Sequence, residues 1–585
     1  MLDLMEHTET EFAEHGDAAP TLVMQGNDGR LAQEVARRRT FAIISHPDAG
    51  KTTLTEKLLL YAGSIDQAGA VRARRSQRQV VSDWMAIEQE RGISVTSTVL
   101  QFEYGDCLFN LLDTPGHQDF SEDTYRTLMA VDSAVMVLDS AKGIEAQTRK
   151  LFEVCRKQRL PILTFINKLD QPGRDPLELL DEIEALLEIR AAPMNWPVGD
   201  GPDFHGVYDF SRQQILLFER TARGQLRAPM IAATLPDERL AQRFGARVYH
   251  RLIEDVELLQ GLDLVFDADA FRAGDLTPVY FGSALNNFGV EPFLQALIEL
   301  APPPGARPSN QGPVAPTDGS FTGFVFKIQA NMDPRHRDRM AFIRVCSGKF
   351  EKDMTVFHTR LNRPVRMSRP HRLFAQKRET VDEAYPGDVI GLTNPGLFVV
   401  GDTVSAAPNL QFAPIPPFQP EMFGLLHNVH MEKYKQFNKG IAQLAEEGVI
   451  QVLFAQDSMR REPIVAAVGQ LQFDVVVARL AAEYQVEARI EPLGYVGARW
   501  VHADDPELAS AQWPAQSLRA RDGRGHTVVL FPSEWVMNYC IEKNPRIKFW
   551  TVDDLIVQSD APWFALSSVY HSAGEASTAV TIVRK

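Results

Sequence analysis

Apolar runs of strand length recur through the first half of the chain: Phe41–Ile44, Cys107–Leu112, Ala134–Leu138, Ile162–Ile166 and Pro278–Phe281. Stretches with helical spacing of apolar residues separate them. That alternation predicts a mostly parallel, doubly wound α/β sheet over about residues 31–305. From Phe321 the period changes to two. Phe324, Phe326 and Ile328 read as one face, and Ala341, Ile343 and Val345 repeat the pattern. Turn signals at Pro386-Gly387-Asp388, Asn394-Pro395-Gly396 and Gly401-Asp402 punctuate it, which predicts a small β-barrel over about 312–410. Pro-rich joints flank this segment, at Pro302–Pro316 and Pro408–Pro420. Beyond them, Phe437, Ile441 and Leu444 fall at helical spacing. A strand-like Ile464–Val468 precedes a helix with Leu471, Val475, Ala478 and Ala482 read as one face, and Val486–Ile490 is strand-like again. Strand, helix, strand in that order predicts an α/β sandwich domain over about 418–550. Residues 1–30 are polar and acidic and read as a disordered tail. Residues 551–585 have mixed patterning and read as a divergent tail.

Composition narrows the class. A chain of 585 residues is too long for one ordinary core. With 44% hydrophobic and 23% charged residues it has the profile of a globular protein. No apolar stretch is long enough to suggest a membrane span, and no basic-then-apolar leader opens the sequence. The four cysteines, Cys107, Cys155, Cys346 and Cys540, are far apart and read as reduced thiols of a cytoplasmic protein, with no zinc site. The net charge of −15 argues against broad coating of nucleic acid, though not against local basic patches.

Candidate chemistry sits at the ends of the apolar runs. Ser45-His46-Pro47-Asp48-Ala49-Gly50-Lys51-Thr52 follows the first strand and opens a helix, the context of a phosphate-binding loop. Gly50 allows a tight turn around an anion, and the helix N-terminus points N–H groups at phosphates. Lys51 can reach the β- and γ-phosphate oxygens, and the Thr52 hydroxyl can ligate magnesium. Ser45 stands where such loops usually have their first glycine.

Asn167-Lys168-Leu169-Asp170 ends another strand. An aspartate carboxylate accepts two hydrogen bonds from guanine N1–H and its 2-amino group, a donor pair that adenine lacks, so Asp170 would select the base. Asn167 would brace the loop and guanine N7, and the Lys168 stem would cover the ring. Asp113-Thr114-Pro115-Gly116 ends a third strand. Asp113 would hold magnesium through water, and the Gly116 N–H would sense the γ-phosphate. Ser283-Ala284-Leu285 follows the last strand and would offer backbone N–H groups to guanine O6. Four such elements at one sheet edge predict GTP and GDP binding with Mg2+, because ligands of open α/β sheets bind at that edge.

Three longer segments add a resemblance. Asp83-Trp84 through Gln89-Glu90-Arg91-Gly92-Ile93-Ser94 resembles switch I of translational GTPases. Asp113-Thr114-Pro115-Gly116-His117 is similar to their switch II. Phe321-Thr322-Gly323-Phe324-Val325-Phe326-Lys327-Ile328-Gln329-Ala330-Asn331-Met332-Asp333 resembles the start of the second domain in the bacterial release factor 3 family. Ser121–Arg126 and Val468–Val476 fit the same family. The resemblance spans about Leu31 to Phe549. It implies a multidomain fold: a P-loop GTPase domain with an inserted subdomain over about 186–275, then an elongation-factor-type β-barrel, then an α/β domain.

The resemblance also implies roles. His117 would be the catalytic residue that positions the attacking water, flanked by Pro47 and Ile93. Ser94 would supply the switch I hydroxyl to magnesium. Ordering of residues around 85–95 and 113–130 by GTP would give the two states. The partners implied are the ribosome, including its RNA, and class-I peptide chain release factors, with the protein as a monomer. The expected function is a ribosome-activated GTPase of translation termination. Two alternatives stay open: an elongation-factor-G-like translocase or ribosome-rescue GTPase, and a GTP-binding scaffold. Too little sequence follows the α/β segment for the tRNA-mimicking arm of a translocase. The basic run Arg72, Arg74, Arg75, Arg78 reads as a solvated loop rather than an RNA contact.

Overall fold

The structure is a computed structural model describing residues 21–65, 95–219, 226–262, 266–330, 339–374, 377–393, 396–415, 418–456, 462–501, 506–523 and 525–551. The switch I segment, including Ile93 and Ser94, the Arg72–Arg78 run, Asn331–Asp333 and residues 552–585 lie outside the described residues.

The first sheet has seven strands: β1 (Arg38–Ser45), β2 (Thr98–Tyr104), β3 (Cys107–Asp113), β4 (Ser133–Asp139), β5 (Ile162–Asn167), β6 (Arg190–Pro193) and, after an insertion, β11 (Leu276–Phe281). Their order is β2-β3-β1-β4-β5-β11-β6. All neighbours are parallel except β2, which runs antiparallel along β3 at the edge. The five strands foreseen from apolar runs are all present, and their buried side chains explain why: both sheet faces are covered by helices, so no polar alternation is required. One face packs on the helices Lys51–Tyr61 and Val290–Leu300 through Leu54, Leu58, Phe165 and Phe293. The other packs on Ala146–Lys157 and Pro176–Leu187 through Leu151, Phe152, Leu179 and Ile183.

The expected insertion over about 186–275 contains a four-stranded antiparallel sheet, β7 (Asn195–Val198), β8 (Gly206–Asp209), β9 (Gln214–Phe218) and β10 (Met230–Thr234). Three helices follow it, ending at Ala273. Its first strand-forming residues do not leave the main sheet. Arg190–Pro193 pairs in parallel with β11, so the excursion begins at Met194. Trp196, Val207 and Ile215 share a core with Val279 and Phe281 of the main sheet.

An eight-stranded curled antiparallel sheet follows within residues 322–405. Here the alternation read from sequence breaks. Thr322–Ala330 pairs with Arg339–Ser347 through a bulge between Val325 and Lys327. A bulge inserts one residue and flips the faces beyond it. Val325 and Ile328 therefore share the core with Ala341, Ile343 and Val345, while Phe324 and Phe326 pack on the opposite side with Met340, Phe342 and Cys346.

The last unit is a seven-stranded antiparallel sheet, ordered from Ala488–Leu493 through Met422–Asn428, Ile464–Ala467, Gln451–Ala455, Leu518–Asp522 and Thr527–Phe531 to Gly497–Val501. The helices Tyr434–Glu447 and Gln470–Tyr484 cover one face through Phe437, Leu444, Phe473, Val476 and Leu480. The helical face read from sequence differs. Ala478 is half-buried and Ala482 exposed, whereas Leu471 and Val475 turn away from the sheet. The helix thus buries two stripes, and a single-face reading mixes them.

The acidic N-terminal stretch also differs from expectation. Thr21–Ala36 is a helix, overlapping the tail foreseen through residue 30. Its apolar residues Leu31 and Val35 pack on Tyr385, which follows the short strand Glu383–Ala384, a partner far away in sequence.

Candidate functional site

Parallel strands deliver their C-terminal ends to one edge, and there the sequence motifs meet. Residues 46–50 link β1 to the helix Lys51–Tyr61. Gly50 sits at φ 99°, in the left-handed region where a Cβ is strained. A Cβ there would also lie 2.2 Å from Asn167 Nδ2, so only glycine fits. Asn167, the last residue of β5, is the hub. Its Nδ2 donates to Ala49 O at 2.9 Å, and its Oδ1 accepts the Ala284 N–H at 2.8 Å. One buried amide thereby fastens the 46–50 loop to the Ser283–Leu285 loop.

Asp170 follows three residues later, and its Oδ1 accepts the Ser283 hydroxyl at 2.6 Å. That bond aims the carboxylate along the rim of the loop. Lys168 takes a left-handed φ of 70° and its Nζ donates to Asp139 Oδ2 at 2.8 Å. Burial alone would raise the Asp139 carboxyl. The bonds from Lys168 and from the Ala141 amide outweigh it and hold Asp139 below the usual carboxylate range. Asp139 ends β4 and was not singled out from the sequence. Only its place between β1 and β5 brings it to Lys168.

On the phosphate side, Lys51 Nζ donates to Asp113 Oδ1 at 2.5 Å, both residues being almost fully buried. Thr52 is half-buried in the first helical turn. Thr114 Oγ1 donates to Ile43 O at 2.5 Å, tying the end of β3 to β1. A Cβ on Gly116 would lie 3.7 Å from Pro47 Cα, so residues 113–117 lie against the 46–50 loop. His46 Nε2 is 3.1 Å from Glu145 Oε1, directing that ring toward an acidic neighbour. Among the described residues, Ser45 Oγ and His46 Nδ1 are buried with no hydrogen-bond partner. Unspent buried polar atoms beside a glycine-shaped turn and a buried lysine make a donor set suited to polyphosphate. Of the expected site residues the structure gathers Ser45 to Thr52, Asp113 to His117, Asn167 to Asp170, Ser283 and Ala284. Ser94 is not among the described residues.

His117 caps a short 3-10 turn, Gln118–Phe120, its Nδ1 accepting the Asp119 N–H at 3.2 Å. The helix Ser121–Leu128 follows. This stretch is gripped from outside its own sheet in ways sequence reasoning missed. Asp119 Oδ2 accepts the Leu471 N–H at 2.8 Å. Buried Arg126 pairs with Glu122 and donates to Glu447 O at 2.7 Å; desolvation lowers its pKa to about 10. Buried Lys327 donates to Ser97 O at 2.5 Å and Oγ at 2.9 Å and lies 3.4 Å from Asp123 Oδ2. Ser121–Arg126 and Val468–Val476 stood out in the sequence separately; nothing local said that Phe120, just before the first, packs on Leu471 and Val475 of the second.

Comparison with known proteins gives matches along most of the chain. Residues 36–303 match the family described as elongation factor Tu GTP binding domain, residues 320–407 elongation factor G domain 2, and residues 412–541 the C-terminal domain of class II release factor RF3. Peptide chain release factor 3 of Gloeobacter violaceus is 59% identical over 526 residues, covering 90% of this chain and 99% of the relative. That of Nostoc punctiforme is 56% identical over 518 residues, covering 88% and 96%. A crystal structure from Thermus thermophilus superposes with a TM-score of 0.63 at 23% identity, covering 84% of this chain and 72% of that one, a likeness of fold.

Proposed function

The chain belongs to the peptide chain release factor 3 family, and from that membership we propose that it is a ribosome-activated GTPase of translation termination that promotes the departure of class-I release factors. It binds GTP and hydrolyses it to GDP and phosphate. The observation that carries the site assignment is the Asn167 amide, which holds the phosphate loop and the guanine-side loop in one fixed relation. Asp170 accepts the paired donors of guanine, with Ser283 and Ala284 beside it and Leu169 buried beneath. The amides of residues 46–50 and Lys51 bind the phosphates. Asp113 then exchanges its pairing with Lys51 for the nucleotide site, since a triphosphate competes for the same ammonium group. His117 orients water against the γ-phosphorus, and the bond to the β–γ bridging oxygen breaks as the new P–O bond forms. Thr52, Ser94 and, through water, Asp113 would hold Mg2+, which supplies charge stabilisation to the phosphates.

The ribosome and its RNA complete the site, as partners of slow switch GTPases add roughly 10³–10⁵ in rate. The protein acts as a monomer in the cytoplasm, where its substrate complex is. Among the described residues no helix is long and apolar enough to cross a membrane. The match of residues 412–541 to the class II release factor C-terminal domain favours termination over translocation or a GTP-binding scaffold. The test is GTP turnover with and without ribosomes carrying a class-I release factor, alongside dissociation of that factor. Parent protein is expected to show both stimulation and factor release. His117→Ala is expected to lose roughly 100-fold or more of the stimulated rate while still binding GTP; unchanged stimulated turnover would remove His117 from the mechanism.

A further inference from the structure

We propose that Asp119 is a positioning residue for His117 and that the C-terminal sheet unit sets its geometry. The inference rests on the reading of His117 above. Asp119 meets His117 Nδ1 in two alternative ways: its N–H donates to an unprotonated Nδ1 at 3.2 Å, or its Oδ1, 3.3 Å away, accepts from a protonated Nδ1. An Nδ1 that accepts a backbone N–H leaves Nε2 as the free end of the ring. The other carboxylate oxygen of Asp119 reaches the opposite way, into the first turn of the helix Gln470–Tyr484, where it accepts the Leu471 N–H at 2.8 Å. A carboxylate at a helix N-terminus is favoured by both the unpaired N–H groups and the helix dipole. Phe120, next in sequence, packs with Val95, Leu471 and Val475. The turn that carries His117 is therefore held between its own strand and a helix some 350 residues away in sequence. Docking of that helix fixes Asp119, and Asp119 fixes the ring.

Gly469 makes the inference testable from the far side of the contact. Its backbone is extended, so alanine is unstrained there. Its added Cβ would lie 2.2 Å from Asp119 Cγ, with both carboxylate oxygens at 2.3 Å and no other residue among the nearest atoms. Gly469→Ala thus displaces Asp119 without touching the GTPase sheet.

The experiment is single-turnover GTP hydrolysis by the full chain with ribosomes, measured for Asp119→Ala, Gly469→Ala, the double variant and His117→Ala, with GTP affinity and melting temperature in parallel. Asp119→Ala and Gly469→Ala are each expected to lower the stimulated rate roughly tenfold, with GTP affinity within about twofold of the parent. The double variant is expected to be no slower than Asp119→Ala alone, because both substitutions remove one coupling. A parental or faster rate in Gly469→Ala, or losses that multiply in the double variant, would overturn the relay. If His117→Ala itself keeps the stimulated rate, the reading of His117 fails instead, and the two failures are told apart.

Discussion

Replacing Asn167 with alanine tests the central joint of the site. The substitution removes the bonds to Ala49 O at 2.9 Å and from Ala284 N at 2.8 Å, and it strands a buried carbonyl and a buried amide. Each stranded group costs about 1–3 kcal/mol, so the total is about 2–5 kcal/mol after partial relaxation. That loss is shared between the fold and the ligand, because the same two loops form the site with and without nucleotide. If about half is expressed in binding, nucleotide affinity falls roughly 5- to 60-fold. The remainder lowers the melting temperature, by about 2–4 °C per kcal/mol for a domain of this size. Titration with fluorescent GDP and GTP, together with thermal melts, reads both parts. GDP and GTP are expected to weaken equally, since Asn167 holds loops that serve guanine and the inner phosphates alike. Affinity within about threefold of the parent would refute the hub role, and a loss confined to GTP would mean that Asn167 acts through the γ-phosphate instead.

Three further outcomes are expected. Asp170→Asn turns an acceptor toward guanine into a partial donor and loses the charge, so GTP affinity should fall roughly 100-fold while xanthosine triphosphate, which offers an acceptor at C2, is gained; competition titrations check this. Burial pushes the Lys57 ammonium down to about 8 from its ordinary value, with a smaller opposing effect of Glu56, so between about pH 8 and 10.5 the unfolded chain binds the extra proton and stability rises with pH. Denaturant midpoints of Lys57→Met and parent across that window should show the parent's extra upward slope and its absence in the variant. Lys327→Met leaves Ser97 and Asp123 without their buried cation and should lower stability by about 3–5 kcal/mol, read as a lower denaturant midpoint.

What could be read from the sequence follows a physical division. Strands buried on both faces announce themselves, so β1, β3, β4, β5 and β11 were legible. β2 was not, because an antiparallel edge strand such as Thr98–Tyr104 mixes exposed Glu103 with buried Phe102. β6 is four residues long and contains Pro193, too short for a periodicity. In Thr322–Ala330 the bulge inverted the faces, and no residue of that segment signals it. The motif residues were legible because each acts through geometry local to one strand end. Asn167 was assigned to guanine N7 as well as to bracing the loop; its bonds to Ala49 O and from the Ala284 N–H are of the bracing kind. Asp119, Arg126 and Lys327 were invisible as contacts, since their partners lie hundreds of residues away and pairing of that kind leaves no periodic trace.

Those long-range contacts also say what kind of junction the 117–128 segment makes. Its apolar part is small: among the described residues, Val95, Phe120, Leu471 and Val475 form the buried cluster there, against the larger separate core beneath the Gln470–Tyr484 helix. The rest is polar: the Asp119–Leu471 amide bond, Arg126 to the Glu447 carbonyl, and Lys327 to Ser97 and Asp123. Polar contacts trade well with water, at a net loss of about 0.5–1.5 kcal/mol for neutral pairs and about 1.5–3 for charged ones. An interface built from them is specific in register but separable, unlike a junction welded by apolar area. Moving a two-state equilibrium from one extreme to the other takes about 5.5 kcal/mol of differential binding. The three polar grips and one small apolar cluster are of that order.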